Sequence, residues 1–199
     1  MASFYRKTRI FFAFGLIILG TLVVTLVRSF GGGVPQQFAD ARLQGALIAQ
    51  AIVDLSNQSI SDLETINKLD RQGSFSEALK MVGVEIQRSQ EIRDQAIKLS
   101  AELEKMTRAL SDLKSFEARQ AALESISNHL ALISRLVNYS GYLSRLLDVL
   151  RVHFEKSFSN RKEVDVLVKQ INDEIIAINS FNDQANQAMK RFDDLVRVK

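Results

Sequence analysis

VDVLVKQINDEIIAINSFNDQANQAMKRFDDLV, residues 164–196, is the stretch whose spacing decides the fold. Val164, Val168, Ile171, Ile175, Ile178, Asn182, Ala185, Met189, Phe192 and Val196 recur at steps of four and three, and nine of these ten are apolar. An α-helix turns once in about 3.6 residues, so such steps keep every marked side chain on one face. A stripe of more than four heptads is the seam of a coiled coil. It predicts shallow, left-handed packing along a neighbouring helix rather than a steep crossing.

The same period runs upstream. Phe38, Leu47, Ile48, Ile52, Leu55, Leu63, Ile66 and Leu69 mark a helix over 36–72, which Gly73 ends. Ser74 or Ser76 is placed to cap the next helix, 75–110, whose stripe includes Leu79, Val82, Ile86, Leu103 and Met106. Two serines, an aspartate and a lysine between Ser111 and Ser115 interrupt that stripe and predict a break. A third helix is expected over 115–157, a turn with a cap at Ser157-Phe158-Ser159-Asn160, and the seam helix over 161–198. Short turns force antiparallel neighbours. The fold class expected is therefore all-α, an elongated antiparallel four-helix bundle of coiled-coil character over residues 36–199.

The other informative stretch is Ile10 to Val27, eighteen residues without a charge, directly behind Arg6, Lys7 and Arg9. At about 1.5 Å per residue a helix of this length covers about 27 Å, close to the hydrocarbon thickness of a bilayer. Residues 1–9 read as a cytoplasmic stub, 10–28 as a transmembrane signal-anchor and 29–35 as a Gly-rich linker. Arg6, Lys7 and Arg9 are the topology determinants, because basic residues stay on the cytoplasmic side. The bulk of the chain is then expected outside the cytoplasmic membrane. A cleaved signal peptide is the rival reading; its apolar region is usually shorter and ends at a small-residue site that Arg28-Ser29-Phe30-Gly31 does not resemble.

Charge supports this division. The formal net charge is +3. Four of the 26 basic residues precede Pro35 with no acidic residue among them, which leaves 22 basic against 23 acidic in the remainder. The basic residues there are scattered, so no nucleic-acid footprint is gathered on the helical part. With no Cys there is neither a disulfide framework nor a thiol nucleophile. His129 and His153 lie 24 residues apart on one expected helix, about 36 Å, so they cannot share a metal. No phosphate loop or catalytic elbow occurs. No cofactor and no catalytic residue is expected. The carboxylates each have a basic residue nearby in sequence, as on a solvated helix face.

Two places stand out as candidate interaction residues. Asn182 sits where the seam calls for an apolar side chain. It reads either as a register or oligomer-state specifier or as an edge position that reaches water. Tyr139, Gly141 and Tyr142 lie in the unusually apolar run 130–150, which reads as the most buried helix or as a partner face. A glycine inside a helix costs about 1 kcal/mol, so Gly141 suggests close helix approach or a kink. The tyrosine hydroxyls need partners, which a ligand could supply. The expected function is that of a membrane-anchored structural or interaction protein, presenting a helical rod for self-association or for docking another envelope protein. Its partners would be membrane lipid and a second copy or an envelope protein. The alternative is a ligand-sensing bundle that works with a separate transducer, which would need a pocket near Tyr139 and Tyr142.

Overall fold

The computed structural model describes residues 34–156 and 161–197. The expected span 10–28, its determinants Arg6, Lys7 and Arg9, and the turn 157–160 lie outside the described residues. Among the described residues no helix is long and apolar enough to cross a membrane.

Four long helices account for nearly all of the described chain: α1 (Gln36–Gln72), α2 (Phe75–Arg108), α3 (Phe116–Lys156) and α4 (Arg161–Arg197). A 37-residue helix is about 55 Å long. Gly73 joins α1 to α2 with φ of 74°, in the left-handed region that a side chain disfavours. That conformation turns the Gly73 N–H onto the Asp70 carbonyl at 3.1 Å and the Ser74 N–H onto the Leu69 carbonyl at 3.0 Å. The helix end is thereby satisfied in the manner of a glycine C-cap. Ser74 occupies the cap position of α2, but its side chain makes no capping bond. Its carbonyl accepts the Ala78 N–H instead.

The expected break after α2 is present, and α2 ends two residues earlier than its stripe suggested. Residues Ala109–Asp112 tighten into a 3-10 turn. Three residues per turn places Leu110 above Leu113, and both are buried. Ser115 then opens α3. Its Oγ accepts the Ala118 N–H at 3.2 Å and donates to Glu117 Oε2 at 2.8 Å.

The helices run up, down, up and down. α3 packs most extensively on α4, then α1 on α2 and α2 on α3. α1 and α4 have no comparable close approach of their backbones. They meet through long side chains near the start of α1 and the end of α4, where the Phe38 and Phe192 rings lie 5.1 Å apart. At the other end α1 and α2 both reach α3, with Asp70 of α1 beside His153 and Phe75 of α2 stacked on Phe154 at 5.9 Å. The core between these ends is built from Ile52, Ile92, Leu132, Leu143, Leu147, Leu167 and Ile171. Each side chain of this size contributes about 1.5–3 kcal/mol by leaving water. Every position of the α4 seam is buried or half-buried.

Candidate functional site

Three polar layers, each with at least one buried member, interrupt this apolar core. The first joins the start of α1 to the end of α4. Arg42 reaches across and holds Asp193 with both arms, Nη1 to Oδ1 at 2.6 Å and Nη2 to Oδ2 at 2.9 Å. Both residues are buried. A forked pair of this geometry satisfies a carboxylate in its own plane. Beside it, on α3, the Ser125 hydroxyl donates to the Ala185 carbonyl at 2.9 Å. His129 Nδ1 donates to the Ser125 carbonyl at 2.9 Å, which places the proton on that nitrogen. His129 Nε2 is buried with no hydrogen-bond partner. Burial, reinforced by the Arg42 charge and opposed by the Ser125 hydrogen bond, holds the imidazole below its ordinary pKa. The ring is therefore neutral at pH 7.

The second layer lies midway along α1, α2 and α3. Arg88 on α2 pairs with Asp62 on α1 at 2.7 Å and with Glu85 one turn before it. Glu85 is fully buried. One residue further, the Ser89 hydroxyl donates to the Ser140 carbonyl at 3.0 Å while the Ser140 hydroxyl donates to the Ser89 carbonyl at 3.1 Å. This exchange lashes α2 to α3 at two points one residue from the Arg88 pair. The third layer joins α3 to α4 through Glu174, which accepts from Asn138 at 3.3 Å and faces Arg135 at 3.6 Å.

These layers correct, for three carboxylates, the expectation that such residues line a solvated face. Glu85, Glu174 and Asp193 are buried. Their partners lie 3 to 151 residues away in sequence, and most come from a different helix. The only signal available in the sequence was that each falls on the inward side of its helix.

Asn182 is 2 % exposed, so it does not reach water at an edge. Its Oδ1 accepts from Asn186 Nδ2 one turn on, at 3.4 Å. Tyr139 is buried, and burial pushes its hydroxyl up to about 12. Tyr142 is half-buried against the core, and Gly141 is exposed. The three residues therefore do not converge. A Cβ built on Gly141 meets nothing within 4 Å, and α3 continues unbroken through it. Gly141 serves neither a close approach between helices of this chain nor a kink.

The outward side of α3 carries the feature that the sequence reading did not separate from the core. Phe116, Leu123 and Leu130 are 69 %, 48 % and 46 % exposed, each seven residues from the next. Val137 continues the series half-buried. Between them Gln120, Ser127, Ser134 and Gly141 are exposed and uncharged. Each seven-residue step drifts only about 20° on a straight helix, so these eight residues share one face about 100° wide. It runs about 38 Å without a charge on its midline. Arg119 and Glu124 flank it; Arg119 donates to the Leu113 carbonyl at 2.8 Å, and Glu124 pairs with Arg191 of α4 at 2.6 Å.

Among the described residues no group of His, Cys, Asp and Glu is arranged to hold a metal ion. No protein-family model matches the chain, and neither a curated protein nor a solved structure shows detectable similarity to it.

Proposed function

We propose that this chain is a single-pass membrane-anchored structural or interaction protein. Its N-terminal apolar segment sits in the cytoplasmic membrane, and its helical bundle projects outside as a rod that associates with copies of itself or with envelope proteins. The observation that carries the reading is the exposed apolar strip of α3. Large apolar side chains repeat there at heptad spacing on the side away from the core, where burial within the chain gives them no purpose. An ordered apolar surface of this kind marks an interaction site in a soluble domain. The polar layers support the same reading, because their residues bind one another across helices rather than facing outward to a substrate.

The test is carbonate extraction of native membranes followed by crosslinking in intact membranes and mass analysis. The reading expects the chain in the carbonate-resistant pellet and a specific crosslinked species that contains it. Quantitative release by carbonate sinks the anchor; a chain that crosslinks to nothing sinks the interaction role.

A further inference from the structure

We infer that the exposed strip of α3 is the contact face of a parallel homodimer, formed by two copies standing side by side in one membrane; this rests on the anchored reading above.

The strip carries the apolar d half of a two-stranded seam beside a small, uncharged a half. Taking Phe116, Leu123, Leu130 and Val137 as d positions puts Gln120, Ser127, Ser134 and Gly141 at a. Apolar d residues supply the buried surface, and leucine at d suits a two-stranded parallel coil. The a positions are small or amide-bearing, so each can face its own copy across a two-fold axis without a clash or an unpaired charge. This arrangement also gives the exposed Gly141 a purpose that contacts within one chain do not. A second helix can approach closely where no Cβ stands.

Direction follows from two observations. The 33 residues that precede the described chain, with their eighteen-residue uncharged run, lead into Val34. In an up-down-up-down bundle the start of α1 and the start of α3 lie at the same end. Two copies anchored in one bilayer therefore stand with Phe116 nearest the membrane in both, and the strips face each other in parallel. Tethering in one plane raises their effective concentration. The rim charges agree. In this heptad Arg119 is a g position and Glu124 the following e position. A parallel pair brings Arg119 of one copy beside Glu124 of the other on both sides of the seam. Opposite charges at g and e select partner and orientation in coiled coils. A second copy thus fits this face in shape, charge and direction.

The chain has no cysteine, so engineered thiols report without background. Gln120→Cys, Gly141→Cys and, on exposed α1, Ser61→Cys are placed singly in the full chain and oxidised in native membranes. Parallel pairing expects Gln120→Cys and Gly141→Cys each to form disulfide dimers about tenfold above Ser61→Cys. Adding Leu123→Glu and Leu130→Glu should abolish both while the thermal melt is kept, because these side chains are exposed. Dimers at only one of the two positions overturn the proposal in favour of antiparallel contact, since the positions lie about 32 Å apart. Dimers at neither, from a chain that resists carbonate, overturn it and leave the anchor standing. Release of the chain by carbonate overturns the anchored reading itself.

Discussion

Asp193→Ala should loosen the bundle where α1 meets α4, and its cost can be worked from the Arg42 contact. The substitution removes a carboxylate that accepts both Arg42 donors at 2.6 and 2.9 Å in a buried setting. The guanidinium cannot shed its proton, so it stays charged in a place that water does not reach. Removing one partner of a buried pair costs about 3–5 kcal/mol, most of it the penalty on the charge left behind. For a chain of this size each kcal/mol lowers Tm by about 2–4 °C, so a fall of about 6–20 °C is expected. Replacing both partners with apolar side chains, Arg42→Met with Asp193→Leu, removes the charge and the penalty together. That double variant should melt within about 1–2 kcal/mol of the parent or above it. Urea unfolding followed by far-UV circular dichroism measures all three chains. The two helices have no extensive backbone approach, so hydrogen exchange in Asp193→Ala should rise first in 36–46 and 186–196. If Asp193→Ala costs less than about 1 kcal/mol, the pair is solvated and the reasoning fails; it fails equally if the double variant is as damaged as the single one.

Other outcomes follow from single residues. His129 has its pKa lowered in the folded chain, so below about pH 6.5 the unfolded chain takes up a proton that the folded one refuses. Stability should hold above that pH and fall below it by up to about 1.4 kcal/mol per unit, a slope that urea melts of His129→Asn should show reduced. Tyr139 moves the other way: its hydroxyl, raised to about 12, keeps its proton when the unfolded chain has lost one. Stability should therefore drop between pH 10 and 12 by about 2.7 kcal/mol in total, and Tyr139→Phe should abolish that drop in alkaline melts. Gly73→Ala meets no atom within 4 Å, so it should cost only the left-handed strain of about 1–2 kcal/mol, read as a lower Tm with the helix content unchanged. Asn182→Leu places an apolar group in a buried seam position and should raise Tm, whereas a fall would show that the Asn182 amide bonds outweigh the gain in burial.

Helix positions were legible in the sequence because each one is written in local chemistry. Gly73 ends α1 through a dihedral angle, Ser115 starts α3 through one hydroxyl, and the α4 stripe declares its inward face by spacing alone. What spacing could not separate was α3. Its apolar residues occupy nearly the whole circumference between 116 and 147, so a core stripe at Ile126, Leu132, Leu136 and Leu143 hid a second one at Phe116, Leu123 and Leu130. Both have helical period, and only the placement of α2 and α4 tells which is covered. The buried carboxylates were hidden for a different reason. Glu85 and Arg88 look like any surface pair three residues apart, and the long-range pairing of Arg42 with Asp193 has no local signature.

The polar layers have a role that apolar packing cannot fill, which is to choose the register. Four helices with similar seven-residue repeats can slide by one heptad and still bury leucine against leucine. Sliding α2 along α1 by seven residues would set Arg88 against Leu55 or Leu69 in place of Asp62. The same slip of α3 along α2 would set Ser89 against Ile133 or Leu147 in place of Ser140, and their bulk would hold the helices too far apart for the hydroxyl–carbonyl exchange. Moving α4 along α1 by seven residues would give Arg42 an asparagine, Asn186, in place of the Asp193 carboxylate. Each slip costs hydrogen bonds worth about 0.5–1.5 kcal/mol apiece, and the loss is greatest at Arg42, whose charge is buried. The α1–α2 and α2–α3 slips therefore meet the penalty in both directions, while the apolar seams alone would leave the alternatives close in energy. A bundle held to one register presents the α3 strip at one fixed height along the rod. That is the condition under which two copies anchored at the same end can match heptad to heptad.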